Sequence, residues 1–230
     1  MVQIIPDIQR FLFENDWLKT RWHFSFADYY DPENMSFGPL RVFNDDVVQP
    51  GGGFPMHPHG EMEIVTYILE GELEHRDSAG GHGVLQAGDV QHMTAGRGIR
   101  HSEFNPSATK PVHLLQIWIA PNQPRLAPGY EQAHVDVHAG QLTPIVAGKA
   151  SNGTLHMHQD ATIYVGRFAG GEHITHALPS HRRAYVFVIR GDIVVNGQTL
   201  HAGDQARISG EVAAELAPST AAELLLIDLP

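Results

Sequence analysis

One short pattern occurs twice in this chain, in the same order, and it constrains the fold more than any other feature. The first copy reads Tyr67-Ile68-Leu69-Glu70-Gly71-Glu72-Leu73, then Leu85-Gln86-Ala87-Gly88-Asp89. The second reads Phe187-Val188-Ile189-Arg190-Gly191-Asp192-Ile193, then Leu200-His201-Ala202-Gly203-Asp204. Each copy runs on into an apolar stretch of strand length, residues 113–120 and 222–229. An apolar run broken by glycine, followed by L-x-A-G-D, is a turn, a strand and a second turn written twice. Three features in matching order make chance a poor account, and the chain is expected to form two similar β units in tandem.

The local texture agrees. Gly 23 and Pro 15 punctuate the chain between β-branched and aromatic runs, the pattern of an all-β sandwich or barrel. Strands are expected at 64–69, 73–75, 113–119, 162–168, 185–189, 193–195 and 224–229. Asn196-Gly197 is a two-residue hairpin signal, because both residues accept positive φ. No long segment carries a 3.6-residue apolar period. Pro121, Pro124, Pro128 and Gly129 cluster between the copies, which puts the expected boundary there: one domain over 1–125 and a second over 126–230.

Charge and composition exclude several functions. Asp+Glu 26 against Lys+Arg 15 leaves a net charge of −11, which opposes direct binding to nucleic acid or to an anionic membrane surface. No apolar run reaches the length of about 18 residues that a membrane span needs. The opening residues carry acids and lack the basic-then-apolar order of a signal peptide, so the cytoplasm is the expected compartment. Cys is absent, which removes disulfides, thiolate metal sites and a cysteine nucleophile. No Ser-His-Asp arrangement stands out, and Gly51-Gly52-Gly53 is followed by no Lys-Ser/Thr, so it reads as a turn rather than a phosphate loop. His is the outlier, at 16 of 230, roughly threefold above ordinary usage, and imidazole is the commonest protein metal ligand.

In so His-rich a chain about one H-x-H is expected by chance, and two occur: His57-Pro58-His59 and His156-Met157-His158. Only the first has a second ligand pair downstream, His101-Ser102-Glu103. In extended backbone, residues i and i+2 share a face, so His57 and His59 point one way together, and His101 and Glu103 do likewise. If both segments line one barrel, three imidazoles and a carboxylate converge there, a donor set that suits a first-row divalent ion. Glu63 has the same parity as His57 and His59, so strand geometry alone leaves it open as the carboxylate. Among the other histidines, His75, His82, His92 and His113 read as surface residues or as partners that orient a ligand imidazole. His156 and His158 read as ordinary polar residues.

These segments resemble the cupin superfamily. Gly51, His57, His59 and Glu63 match its first motif, with Gly71 one position late; Gly98, His101 and Asn105 match the second, with Gly96 where proline is usual and Gly88 too far upstream. Those departures resemble the pirin family, as do Phe24-Ser25-Phe26-Ala27-Asp28-Tyr29-Tyr30-Asp31-Pro32, Leu40-Arg41-Val42-Phe43-Asn44-Asp45-Asp46 and Gly96-Arg97-Gly98-Ile99-Arg100-His101-Ser102-Glu103. The likeness is strong over roughly 15–130 and architectural beyond. It implies two tandem cupin (double-stranded β-helix, or jelly-roll) barrels, with metal in the N-terminal one and a degenerate, metal-free C-terminal one. Aligning Gly191 with Gly71 sets Ala177 and Pro179 where His57 and His59 stand.

The resemblance also implies a site and a reaction. His57, His59, His101 and Glu103 would hold one metal ion, Fe2+ first, with Mn2+, Co2+, Ni2+, Cu2+ and Zn2+ compatible. The activity implied is a quercetin 2,3-dioxygenase: a flavonol-like substrate is opened by O2 with release of carbon monoxide, and Glu103 accepts the proton of the flavonol hydroxyl. Two other readings stand beside it, a metal- or redox-responsive regulator acting through a protein partner, and a non-oxidative cupin acting on a small molecule. A monomer is compatible with two barrels in one chain.

Overall fold

The computed structural model describes residues 1–150 and 153–230. Its regular structure is antiparallel β, with one 3-10 turn at Asp7–Gln9 and no α-helix among the described residues. None of its helices is long and apolar enough to cross a membrane. The expected strands are present with slightly wider bounds, among them Glu63–Glu70, Glu72–Asp77, Val112–Ile119, Arg183–Arg190 and Ala222–Leu229. Asn196 and Gly197 take φ of 46° and 81° and join Asp192–Val195 to Gln198–His201 in the expected hairpin.

The repeated motif performs the same task in both places. Gly71 and Gly191 have φ of 80° and 79°, and a Cβ on either would run into backbone, the carbonyl of Pro111 or that of Ala221. Only glycine fits. In each L-x-A-G-D the glycine N–H donates to the strand before it, Gly88 to Ile68 O at 2.9 Å and Gly203 to Val188 O at 2.8 Å. The aspartate then closes the turn: Asp89 Oδ2 accepts Gln86 N–H at 2.8 Å and Asp204 Oδ2 accepts His201 N–H at 2.9 Å.

Two compact units result, and they depart from the expected boundary between 125 and 126. One comprises Phe11–Val135 with Gly148–Gln159; the other comprises Met1–Arg10, Asp136–Ala147 and Asp160–Pro230. The reason is strand pairing. Gly129–His134 pairs with Asp89–Thr94 and so adds an edge strand to the first barrel, whereas Val2–Ile5 pairs with Gln205–Ser209 in the second. Edge strands go where unpaired N–H and C=O groups await them, and proline punctuation carries no record of that.

In the first barrel a sheet of seven strands runs in the order Gly129–His134, Asp89–Thr94, Glu63–Glu70, Val112–Ile119, Leu40–Val48, Leu18–Trp22, Phe11–Glu14. A second sheet runs Gly53–His59, Ile99–Phe104, Glu72–Asp77, His82–Gln86. Leu18, Val48, Ile68, Leu73, Leu85, Val112 and Leu114 form one apolar cluster, and Ile64, Met93, Ala95 and Ile99 another. Between these the inward positions turn polar: Thr66, His75, Gln91, His101, Glu103 and Gln116 are all buried. A barrel that buries so many polar side chains must pair them or present them to a ligand. The second barrel, built the same way, is filled by Val186, Val188, Ile193, Leu200, Leu216, Leu224 and Leu226 among others.

Candidate metal centre

The sheet that carries the ligand candidates sets Gly53–His59 antiparallel to Ile99–Phe104, with His57 opposite His101, His59 opposite Ile99 and Phe54 opposite Glu103. A bulge between His101 and Glu103 shifts the register there. His59 Nε2 lies 2.9 Å from His101 Nε2, which lies 3.1 Å from His57 Nε2. Ring nitrogens of all three fall within 4.8 Å of one another. Burial, with the charges of His101 and His57, pushes His59 down to about 4, and burial lowers His101. Near neutral pH these two rings are uncharged.

Their proton positions can be followed. His57 Nδ1 donates to Pro55 O at 2.8 Å, because a carbonyl can only accept, which leaves Nε2 as the nitrogen free to ligate. His101 Nε2 has one site, proton or lone pair, yet it faces two partners, so hydrogen bonds cannot satisfy the cluster. A cation can. With metal–nitrogen bonds of about 2.0–2.1 Å, neighbouring ligands at right angles stand about 3 Å apart, the spacing seen here. The residues fit a divalent transition-metal ion.

Glu103 is held from three sides. Gln91 Nε2 and Thr66 Oγ1 donate to its Oε1 at 2.6 and 3.4 Å, and Gln116 Nε2 donates to its Oε2 at 2.9 Å. Its carboxylate groups with His101 and His75, all within 4.8 Å, rather than with His57 and His59. Glu63 stands elsewhere. It is fully buried and its Oε2 accepts from His92 Nε2 at 2.8 Å, Thr94 Oγ1 at 3.1 Å and the His158 amide at 2.9 Å. Parity counted from His59 does not reach Glu63, because Glu61 takes a positive φ of 51° and the chain changes sheets there.

The second H-x-H is structural packing for that network. The His156 amide donates to Glu131 Oε1 at 2.7 Å, the His158 amide to Glu63, and the two rings meet edge to face. In the second barrel the corresponding strands place His176 opposite Ala214, and His176 Nε2 bonds Asp228 Oδ2 at 2.8 Å.

The imidazoles and Glu103 line a cavity of about 420 Å³. Its other walls carry the aromatic residues Phe13, Trp17, Trp22, Phe26, Phe54 and Trp118, and Asn15, Asp28, Asn44, Asp46 and Gln116 add polar groups. Asn44 Oδ1 is buried without a hydrogen-bond partner among the described residues. Asp46 is pushed up to about 7, chiefly by burial. Of the aromatic wall only Phe54 is marked in the sequence, by its place beside His57 and His59; Gln91, Gln116, Thr66 and the other wall aromatics carry no such mark. His75 was one of four histidines left undivided, though it shares strand parity with the buried Leu73.

Residues 6–119 match the family described as Pirin, and residues 144–229 match the quercetinase C-terminal cupin domain. The chain is 44% identical over 215 residues to the quercetin 2,3-dioxygenase of Escherichia coli (strain K12), covering 93% of this chain and 92% of that protein. The chain belongs to the pirin family. A pirin-like protein of Caulobacter vibrioides is 40% identical over 220 residues, 94% of each chain. The solved structure of YhhW from Escherichia coli superposes with a TM-score of 0.97 at 40% identity, over 100% of this chain and 98% of that one. A bacterial pirin YhhW in complex with nickel(II) gives a TM-score of 0.96. The fold of this pirin is accordingly two tandem cupin barrels, as expected.

Proposed function

We propose that this pirin is a metal-dependent dioxygenase that opens the heterocyclic ring of a flavonol with O2 and releases carbon monoxide. The observation that carries the reading is the set of three imidazole Nε2 atoms facing one another at 2.9 and 3.1 Å on the wall of an aromatic cavity. The names of relatives across more than nine-tenths of the chain support it.

In this reading His57, His59, His101 and Glu103 are the ligand set, with Fe2+ the first candidate and Mn2+, Co2+, Ni2+, Cu2+ and Zn2+ compatible. A divalent ion there would supply Lewis acidity toward an ionised hydroxyl and a site for O2 chemistry. The chain's own residues do the rest. The aromatic walls take up a planar ring system and exclude water. Glu103 is the proton acceptor for the flavonol hydroxyl, and Gln91, Thr66 and Gln116 hold its two oxygens in fixed directions. Uncharged imidazoles keep their lone pairs for the ion. The cytoplasm and a monomeric state complete the reading.

The experiment is quercetin turnover by protein loaded separately with Fe2+, Mn2+, Co2+, Ni2+, Cu2+ and Zn2+, following O2 uptake and carbon monoxide. Equal amounts consumed and released with at least one metal, abolished by chelator, is the expected result. A filled site with no release under any metal overturns it.

A further inference from the structure

We infer that Asp77 and His75 fix the tautomer of His101 through a two-link hydrogen-bond chain, so that His101 presents its Nε2 lone pair to His57 and His59. The inference rests on the proposed ligand role of His101 and goes beyond it to positioning residues on a neighbouring strand.

Register puts the three residues together. Ile99–Phe104 pairs with Glu72–Asp77 so that His101 lies opposite Asp77 and Glu103 opposite His75. His75 and Asp77 side chains are both 0% exposed, so water cannot decide their protonation for them. His75 Nε2 is 3.1 Å from Asp77 Oδ2, and His75 Nδ1 is 3.4 Å from His101 Nδ1. The second link is long, at the weak end of hydrogen bonding. The Tyr130 ring stacks on His75 with centroids 4.2 Å apart and planes at 13°, which fixes the imidazole plane.

The direction of the chain follows from the acid. Asp77 Oδ1 accepts two backbone N–H groups, from Ala79 at 2.7 Å and Gly81 at 3.0 Å. Those donors favour the carboxylate, which has no proton to give. His75 must therefore donate from Nε2, and the tautomer that carries its proton there has its lone pair on Nδ1, facing His101. His101 must then donate from Nδ1, and its lone pair falls on Nε2. The opposite sense would aim the Nε2 lone pair of His75 at a buried carboxylate. A metal-ligating histidine commonly gives its other N–H to such a partner, and loss of the partner weakens metal binding by about 10–100-fold.

Asp77→Asn isolates the effect. The asparagine oxygen can still accept from Ala79 and Gly81, so the turn keeps its hydrogen bonds, while the amide N–H2 meets His75 Nε2 with a donor. We expect 15N spectra of metal-free wild-type protein to show His101 protonated on Nδ1 and His75 on Nε2, and Asp77→Asn to change both. Ni2+ affinity, measured by chelator competition, should fall about 10–100-fold with the thermal midpoint little changed. His75→Phe should lose the same affinity while keeping a ring for Tyr130 to stack on. His75→Asn, whose oxygen stands near the position of Nδ1, should restore most of it. A wild-type spectrum with the His101 proton on Nε2 overturns the inference. So does unchanged Ni2+ affinity in both Asp77→Asn and His75→Phe. Wild-type protein that binds no Ni2+ overturns the ligand reading instead, and the tautomers in the spectrum still decide this one.

Discussion

Gln116 donates to Glu103 across 2.9 Å, and the two lie on strands of different sheets of the first barrel. The acid on the cavity wall is thus aimed by a strand buried in the core, and its direction depends on the two sheets staying packed. Replacing Glu103 with Gln keeps the shape and removes the proposed proton acceptor. Turnover should fall by about 10²-fold or more while part of the metal stays bound. Gln116→Leu should give a smaller loss, since Gln91 and Thr66 still hold the other oxygen. Metal content and steady-state rates on the same preparations check both.

His101 is the imidazole whose Nε2 faces both others. His101→Ala should remove metal and turnover together. His156→Ala, at the other H-x-H, should leave both near wild type, because its contact to Glu131 is made by the backbone amide. Full activity with metal retained in His101→Ala would remove that residue from the site.

Asp46 gives a pH-dependent stability with a definite sign. Burial raises its carboxyl from 3.8 to about 7; the charges of Asp45 and Glu103 add to this, and the Thr20 hydroxyl and His113 oppose it. A carboxyl whose folded pKa lies above its unfolded one contributes fully below about pH 4, and that contribution is lost as pH rises through 7. Asp46→Asn removes the buried charge. The variant should gain stability over wild type as pH rises from 4 to 8, by up to about 4 kcal/mol. Denaturant titrations at pH 5 and pH 8 read the difference. An equal offset at both would show that Asp46 does not ionise across that range.

Glu63 and His92 shift in opposite senses. For Glu63 burial works upward, but the His92 hydrogen bond and charge, the His158 amide and the Thr94 hydroxyl together bring it below 4.5. For His92 burial works downward, and Glu131 and Glu63 outweigh it to bring it above 6.5. The Glu63 contribution is present above pH 4.5 and lost as pH falls through its folded value; the His92 contribution is present below pH 6.5 and lost as pH rises through its own. Together they act most strongly between those limits. Glu63→Gln should therefore cost about 3 kcal/mol near pH 5.5 and less at pH 8.5, read from denaturation midpoints. The same cost at both would exclude a charge effect.

Much of the architecture was legible because its signals are local. Gly71 and Gly191 announce positive φ, Asp89 and Asp204 announce turns closed by a carboxylate, and Asn196-Gly197 announces a hairpin; each is decided by a residue and its near neighbours. The pairing of His57 with His59 is local too, since alternation holds as long as the strand runs unbroken. The sequence by itself therefore determined two β barrels of the same design and two ligand pairs, His57 with His59 and His101 with Glu103; their meeting rests on register between strands.

Tertiary structure decided what lay across strands. Alternation fails at Glu61, where the backbone turns into the left-handed region, so parity could not tell that Glu63 joins His92 while Glu103 joins the cavity. Nor could it choose His75 from the other histidines, because its contact with His101 comes from register between two strands. The edge strands Val2–Ile5 and Gly129–His134 each join a barrel that the order of the chain does not indicate. The common reason is that hydrogen bonding between strands and burial between sheets are long-range properties: residues set the geometry of each strand, and only the folded barrel sets which strands meet.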